Sequence, residues 1–289
     1  MQHRFIIGIG SQRAGSTLLH RLLGASTGAF MHPVKELHYF DTLYGYRSRD
    51  ALKDYSMRQL SREINVIVSA KDYGFINDRY RCYLRTNKLL WSSDIEEVDY
   101  LDLFRPNLRR ASLLGETTPE YMLLSDDDVE KMQRVVGSDA AIVLLCRNPV
   151  SRVLSAMKLV NSYNNLSMSS EEADEWLHRM LDEETPWLKA QDGYNSYREV
   201  IRRYSARFKH FAAISYDQLI GAPGATANRL SACLGIAIDV ERFEAESTNV
   251  MNDLGEDFVV SDRARQRIAE RYRDSSDFLG EYFKTDIVK

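Results

Sequence analysis

The stretch that decides the fold is Gly8-Ile9-Gly10-Ser11-Gln12-Arg13-Ala14-Gly15-Ser16-Thr17, which overlaps the end of the apolar run at 5–9. The apolar run predicts a buried strand, and residues 16–24 carry leucines at helical spacing, so the glycine-bearing turn joins a strand to a helix. Such a turn points backbone N–H groups and a helix N-terminus at one place, where an anion is favoured. The stretch therefore predicts a phosphate-binding loop; the plain alternative is a strand–helix turn that binds nothing.

The two glycines at the ends of this loop, Gly10 and Gly15, have the spacing of a Walker P-loop, and Thr17 lies where that motif has Ser or Thr. The lysine that should follow the second glycine is absent, because Ser16 stands there. The cation of the loop comes earlier, at Arg13. A nucleoside-triphosphate enzyme needs that lysine on the β- and γ-phosphates, so its absence weakens an ATP-binding interpretation.

Outward from the loop, short apolar runs alternate with helical patterns. Strands are predicted at 113–114, 140–146 and 211–216, and helices at 150–160 and 225–234. Strands that alternate with helices are typical of an α/β protein with a parallel sheet covered by helices on both faces. The sequence therefore predicts a three-layer α/β/α fold in a single domain over 1–289, with a mostly helical insertion at about 42–110.

Composition and charge narrow the class of protein. The chain has 289 residues, of which 44% are hydrophobic and 28% charged, as is ordinary for a folded protein. Its 38 basic and 42 acidic residues give a net charge of −4, which argues against a nucleic-acid-binding surface. Cys82, Cys146 and Cys233 lie far apart, so we predict neither a disulfide framework nor a zinc site. The first apolar run is too short for a signal peptide or a membrane span, so we expect a cytoplasmic protein.

A second candidate anion site follows the predicted strand at 140–146, where Arg147 is the first residue after the apolar run. Pro149 is well placed to open a helix, and Ser155 lies about two turns into that helix. Arginine offers a permanently charged fork that suits phosphate, and a hydroxyl adds a neutral donor. The alternative is that Arg147 caps a helix or pairs with an acidic neighbour.

Candidate proton acceptors follow the first predicted helix, in the segment Lys35-Glu36-Leu37-His38-Tyr39-Phe40-Asp41. A second strand is expected here, and in an extended segment Glu36 and His38 point to the same side. Two proton acceptors on one face suit general-base chemistry if that face lines a pocket. The alternative is a solvent-facing pair on an edge strand.

Together these segments resemble the sulfotransferases that use 3′-phosphoadenosine 5′-phosphosulfate (PAPS). The loop at 13–17 is similar to the family's 5′-phosphosulfate loop, and Arg147 with Ser155 is similar to its 3′-phosphate motif. Glu36 matches the proposed general base of the glycan-type branch, and the segment at 115–121 resembles the family's Gly-Glu-Lys-[Ser/Thr]-Pro-x-Tyr. The resemblance covers nearly the whole chain except about 42–110, and it implies the P-loop NTPase-like sulfotransferase fold.

The resemblance also implies an activity: in-line transfer of the sulfo group of PAPS to a hydroxyl, leaving 3′-phosphoadenosine 5′-phosphate (PAP). An amine or phenol stays open as acceptor, on a small molecule, a glycan or a peptide. Glu36, or His38 as second choice, would take the acceptor proton, and Arg13 would stabilise the leaving phosphate. No metal is implied, because no triphosphate needs neutralising. The donor would be held by Arg13, Ala14, Gly15, Ser16, Thr17, Arg147 and Ser155.

The chain departs from the family pattern at Thr117, where the family has a lysine near the transferred sulfo group. With Arg13 in place of the more usual lysine, we expect the site to lack two ammonium groups, and arginine is a poor general acid because its pKa exceeds about 12. Two other interpretations stay open: an ATP-dependent P-loop kinase of small molecules, and a nucleotide-binding relative without activity. The insertion carries several tyrosines and the basic residues Lys71, Arg79, Arg81 and Arg85. It could line an acceptor cleft for an acidic or aromatic substrate, or it could form a solvated helical face.

Overall fold

The core of the protein is a parallel sheet, seen in a computed structural model that describes residues 3–163, 168–248 and 258–285. Its strands in chain order are β1 (Arg4–Gly10), β2 (Phe30–Met31), β3 (Leu113–Thr117), β4 (Ala141–Cys146) and β5 (His210–Ser215). They lie in the order β2-β3-β1-β4-β5, and every neighbouring pair is parallel. The strand that carries the glycine loop is therefore central, between β3 and β4.

Helices cover both faces of the sheet, as predicted. The first half of the chain holds α1 (Ser16–Ser26), α2 (Tyr39–Leu43), α3 (Arg49–Ser69), α4 (Asp78–Ser92), α5 (Asp126–Val136) and α6 (Pro149–Tyr163). The second half holds α7 (Ser170–Asp182), α8 (Pro186–Asn195), α9 (Tyr197–Ser205), α10 (Tyr216–Gly221), α11 (Pro223–Leu234), α12 (Val240–Ser247), α13 (Asp262–Arg271) and α14 (Arg273–Thr285). Short 3₁₀ turns lie at Ile95–Glu97, Tyr100–Phe104, Asn107–Arg109 and Pro119–Leu123.

The two faces of the sheet bury alternate residues of the same strands. Ile7 and Ile142 join one hydrophobic cluster, whereas Ile6 and Val143 join another on the opposite face. The leucines of α1 pack into the second cluster, because the helical spacing puts them on one face. This arrangement confirms the predicted α/β fold with a central parallel sheet.

The predicted second strand was placed wrongly. The strand beside β3 is Phe30–Met31, and residues 35–38 follow it without strand pairing. His38 takes a left-handed conformation with φ of 49° directly before α2, and its Nδ1 contacts the Asp41 carboxylate at 2.8 Å. A turn therefore replaces the extended segment, since a short acidic side chain can stabilise such a turn locally. Similarly, α1 continues past its predicted end at Gly24 to Ser26.

Residues 42–110 hold α3, α4 and three of the 3₁₀ turns, and α3 and α4 pack against each other. Ser48 and Asn77 begin these two helices, and each accepts a hydrogen bond from a first-turn backbone N–H. Over the three described ranges, no helix combines the length and the apolar character needed to cross a membrane.

Candidate active site

The glycine loop leaves β1 and begins α1 in a conformation that requires glycine. Gly15 has a φ of 97°, and a Cβ built there would lie 2.9 Å from the Tyr216 ring. Arg13 also has a positive φ, of 64°. No side chain caps the start of α1 and no acidic residue lies in its first turn. The N–H groups at this helix N-terminus are therefore free to bind an anion.

The second predicted anion site lies against the first. The Arg147 guanidinium donates through Nη1 to the Arg13 carbonyl oxygen at 2.8 Å and lies over the Tyr216 ring, 4.9 Å from its centroid. Arg13 in turn donates through Nε to the Ser155 hydroxyl oxygen at 3.1 Å. Adjacent pairing of β1 and β4 explains this, because parallel strands end at the same edge of the sheet.

These groups line one cleft of about 1210 Å³. The structure brings eight of the nine predicted site residues to its wall: Arg13, Gly15, Ser16, Thr17, Glu36, His38, Arg147 and Ser155. The exception is Ala14, which is fully buried and packs in the hydrophobic cluster of α1, so its side chain does not face the cleft.

A cluster of charged side chains lies beside the loop. His38 Nε2 is 3.7 Å from Glu36 Oε2, and His38 Nδ1 is 2.8 Å from Asp41 Oδ2 and 3.8 Å from Glu120 Oε2. His38 and Asp41 are buried, whereas Glu36 is partly exposed to the cleft. One imidazole is thus surrounded by three carboxylates, and the carboxylate nearest the solvent is that of Glu36.

This arrangement shifts the pKa values in opposite directions. Burial would lower the pKa of His38, but the hydrogen bond to Asp41 and the contact with Glu36 raise it to about 10. Burial would raise the pKa of Glu36, but His38 and Lys35 lower it. Burial raises the pKa of Glu120. The resulting state at neutral pH is an imidazolium beside an ionised Glu36.

Lys35 supplies an ammonium group that the sequence analysis did not foresee. Its Nζ donates to the hydroxyl oxygens of Ser16 at 3.3 Å and Thr17 at 3.2 Å, and it forms an ion pair with Glu36. The backbone carbonyl of Lys35 accepts a hydrogen bond from the Thr117 N–H at 3.1 Å. The two ammonium groups of the family pattern are absent at positions 13 and 117, but a lysine bonded to residue 117 reaches the loop.

Thr117 itself faces away from the cleft. It is fully buried, and its hydroxyl lies 3.3 Å from His20 Nδ1, behind the loop. Its neighbour Glu116 is also fully buried and accepts hydrogen bonds from the hydroxyls of Tyr100, Tyr121 and Thr118 at 2.6–2.8 Å. Burial raises the pKa of Glu116 to about 7, although these donors oppose the shift. Glu116 is thus a satisfied core group that holds the end of β3.

A buried arginine supports the loop from below. Arg152 is fully buried and donates to Asn195 Oδ1 at 2.7 Å, to Gln191 Oε1 at 3.1 Å and to the Gln12 carbonyl oxygen at 3.5 Å. Tyr194 lies beneath its guanidinium, with the ring centroid 5.6 Å away. Gln191 and Asn195 lie four residues apart on α8, which is only a weak signal in the sequence. Nothing in the sequence shows that the arginine that binds them also contacts Gln12.

The outer wall of the cleft comes from α3, with the residues Tyr55, Arg58, Gln59 and Arg62. The basic residues singled out from the insertion lie elsewhere. Arg79 donates to the Met31 carbonyl oxygen at 2.7 Å, and Arg81 and Arg85 lie near the carboxylates of Asp78 and Asp102. The insertion therefore lines the cleft through α3, while Arg79, Arg81 and Arg85 are not part of the wall.

The carboxylate cluster also has the composition of a metal site. One ligand atom each from Glu36, His38 and Glu120 lies within 4.8 Å of the others. Among the described residues, Lys35 forms an ion pair with Glu36, and His38 Nε2 lies 3.7 Å from the same carboxylate. The Glu36 carboxylate of this set is therefore already paired with two of the protein's own cations.

Solved structures with a similar fold are sulfotransferases. The crystal structure of a sulfotransferase from Alicyclobacillus acidocaldarius has a TM-score of 0.58 at 17% identity, over 95% of this chain and 93% of that chain. The sulfotransferase domain from the curacin biosynthetic pathway has a TM-score of 0.50 at 17% identity, over 93% of this chain and 96% of that domain. A comparison with curated proteins found no match. At these identities, the likeness establishes the fold.

A sequence model of a protein family extends the likeness beyond the fold. The model is described as the sulfotransferase family, and it matches residues 5–240. The matched region runs from β1 to the start of α12, and so contains the sheet, the glycine loop, the carboxylate cluster and the Arg147 site. By this match the chain belongs to the sulfotransferase family.

Proposed function

We propose that this sulfotransferase takes its sulfo group from PAPS and transfers it to a hydroxyl. The observation that carries the proposal is the contact between the two anion sites, in which Arg147 bonds the Arg13 carbonyl oxygen and Arg13 bonds Ser155. One cleft thereby offers two adjoining sets of anion donors on neighbouring strands. A donor with phosphate groups on both sides of one nucleoside is matched to such a pair of sites.

In this proposal, the donor half of the cleft fixes the nucleotide. The α1 N-terminus, with Ser16 and Thr17, holds the 5′-phosphosulfate, and Arg147 and Ser155 hold the 3′-phosphate. Alignment of a bound donor with a bound acceptor can supply about 7–11 kcal/mol of the barrier. These residues therefore act mainly by binding and orienting.

Glu36 is the proposed general base. An imidazolium has no lone pair to accept a proton, so His38, with its raised pKa, is unsuited to that role at neutral pH. The Glu36 carboxylate is ionised and faces the cleft. His38 is a positioning residue here, because Asp41 holds its Nδ1 and directs its Nε2 at Glu36.

Lys35 is the proposed cation for the leaving group. Its Nζ donates hydrogen bonds to the hydroxyl oxygens of Ser16 and Thr17, and it also forms an ion pair with Glu36. When a donor occupies the loop, the ammonium can stabilise the charge that grows on the 5′-phosphate as the S–O bond breaks. A lysine that leaves Glu36 for the phosphate also frees the carboxylate to take the acceptor proton.

The test is calorimetric titration of the protein with PAP in the presence of EDTA, followed by an assay of PAPS turnover with a panel of hydroxyl acceptors. The proposal expects PAP to bind without a divalent metal and at least about tenfold more tightly than AMP, since the 3′-phosphate adds a charge-assisted contact. Tighter binding of ATP with Mg²⁺ than of PAP would instead support a P-loop kinase. A protein of this family without activity would bind PAP but would not convert PAPS into PAP with any acceptor of the panel.

A further inference from the structure

The cleft wall formed by α3 carries cations without carboxylate partners. Tyr55, Arg58, Gln59 and Arg62 recur at helical spacing, so that they form one stripe along α3, and all four line the cleft. Arg58 and Arg62 are exposed, and among the described residues no carboxylate lies within 4.0 Å of either guanidinium. The two guanidinium groups start from backbone positions about 6 Å apart along the helix axis.

The opposite side of the same helix is different. Arg49 pairs with Glu96 there, and Lys53 Nζ lies 2.7 Å from Asp94 Oδ1. These two positions lie about half a turn away from the cleft stripe. On the side of α3 away from the cleft, the two cations therefore form ion pairs with carboxylates. On the cleft side, Arg58 and Arg62 do not pair with any carboxylate of the described residues.

Arg47 adds a third cation to the wall of the cleft. Its backbone N–H donates to the Asp41 carbonyl oxygen at 3.1 Å, which fixes it beside the His38 cluster. Its Nε is buried and has no hydrogen-bond partner in the described structure. A buried donor of this kind is satisfied when an acceptor atom of a ligand enters the cleft.

Two residues of the α3 stripe, Tyr55 and Gln59, share a second, smaller cavity with the proposed base. At one side of the loop, Arg13 bonds Ser155. At the other side, Ser16 and Thr17 accept hydrogen bonds from Lys35, and Lys35 also pairs with Glu36. Beyond Glu36, a side branch of about 230 Å³ is lined by Lys35 and Glu36 together with Tyr55 and Gln59 of α3. The α3 stripe thus adjoins the base at the end that the donor sites leave open.

The charge of the cleft exceeds what the donor needs. Eight lysine and arginine side chains of the described chain line it, against the two carboxylates of Glu36 and Glu120. A bound PAPS molecule brings about four negative charges, counting the 3′-phosphate as a dianion. Positive charge therefore remains in the cleft when the donor is in place, in a protein whose net charge is −4.

We infer that the acceptor is an anion: a hydroxyl compound with a carboxylate, phosphate or sulfate group that binds Arg47, Arg58 and Arg62 while its hydroxyl lies at Glu36. The inference rests on the proposed function, because it takes the other end of the cleft as the donor site. Arginine suits all three anionic groups through its planar, bidentate fork. A neutral hydroxyl compound gains nothing from this wall.

The experiment titrates the PAP-saturated protein with a mannuronate hexamer, which carries a carboxylate and hydroxyls on every sugar, and with neutral maltohexaose. The test variant is Arg58→Gln with Arg62→Gln. The matched control is Arg49→Gln with Lys53→Gln, which removes the same charge from the opposite side of the same helix. We expect the uronate to bind the wild type, to bind the test variant at least tenfold more weakly, and to bind the control within twofold of the wild type.

Equal uronate affinity of the two double variants would overturn the inference, as would maltohexaose binding as tightly as the uronate or no uronate binding to the wild type. The affinity for PAP, measured first in each protein, separates this failure from a failure of the proposed function. If PAP does not bind the wild type, the donor assignment is wrong. If PAP binds all three proteins alike, the variants are folded and any change belongs to the α3 wall.

Discussion

The two halves of the cleft are built in different ways. The donor half consists of two strand–loop–helix units, β1 with α1 and β4 with α6, whose strands are neighbours in the sheet. The base half collects Glu36 and His38 from a turn, Glu120 from the segment after β3, and its outer wall from α3. The donor half is local in sequence and rests on backbone geometry. The base half depends on long-range contacts between buried charges.

This difference predicts that binding and chemistry are separable in this protein. Changes in the donor half should alter the affinity for the nucleotide and leave the proton-transfer group intact. Changes in the base half should alter turnover and stability while the nucleotide still binds. The following predictions, from the largest effect to the smallest, test whether the separation holds.

Glu36→Gln should produce the largest effect. The amide cannot take the acceptor proton, so kcat should fall by about 10²–10⁴-fold while the affinity for PAP changes less than about threefold. Steady-state kinetics with PAPS and calorimetry with PAP measure the two quantities. A variant that keeps the full rate with a competent acceptor would show that Glu36 is not the base.

The free energy of unfolding should depend on the protonation of His38. The pKa of this buried group is raised from 6.5 to about 10, so its stabilisation is complete below pH 6.5 and is lost as the pH rises through about 10. At about 1.4 kcal/mol per pKa unit, the upper limit of the effect is about 5 kcal/mol. Urea unfolding of the wild type and His38→Asn should differ most at pH 6 and least at pH 10; a constant difference would contradict the assignment.

Arg152→Met should destabilise the whole protein. The substitution leaves the buried polar atoms of Asn195 and Gln191 without their donor, and loss of one member of such a buried network costs about 3–5 kcal/mol. Thermal unfolding measures the loss, and Arg202→Met is the control because Arg202 is mostly exposed. An unchanged melting temperature for Arg152→Met would show that this arginine does not brace the loop.

Arg147→Ala should weaken PAP binding by about 10–100-fold, because a charge-assisted hydrogen bond contributes about 1.5–3 kcal/mol. Ser155→Ala should cost less, about three- to tenfold, since its hydroxyl is a neutral donor. Calorimetry measures both, and kcat at saturating PAPS should stay within about threefold of the wild type. If either variant lowers kcat as strongly as Glu36→Gln, the two halves of the cleft are not separable.

The difference between the donor half and the base half of the cleft also explains what could be predicted from the sequence. The parallel sheet and the two donor segments follow from apolar runs that end in a glycine loop or in Arg147, because neighbouring parallel strands must end together. Lys35 was read only as a neighbour of Glu36, although its Nζ lies on Ser16 and Thr17. Lys35 is held there by the backbone hydrogen bond from the Thr117 N–H to its carbonyl oxygen, which no local pattern encodes.

The α3 wall was missed for a related reason. Three of the four basic residues named from the insertion, Arg79, Arg81 and Arg85, belong to α4, where Arg79 bonds the Met31 carbonyl oxygen. Which face of each helix meets the cleft is decided by how α3 and α4 pack on each other, not by the charge pattern of either helix. The side-chain alternation of an extended strand also predicted that Glu36 and His38 share a face. In the structure these two side chains are brought together by the left-handed turn at His38 instead.

The ring of Tyr216 packs against both the glycine turn and Arg147. Its edge lies 2.9 Å from the position that a Cβ of residue 15 would take, and its face lies under the Arg147 guanidinium. One aromatic ring thus couples the backbone of residue 15 to the position of the guanidinium. A methyl group added at Gly15 would push on this ring, and the displacement would reach the guanidinium on its other side.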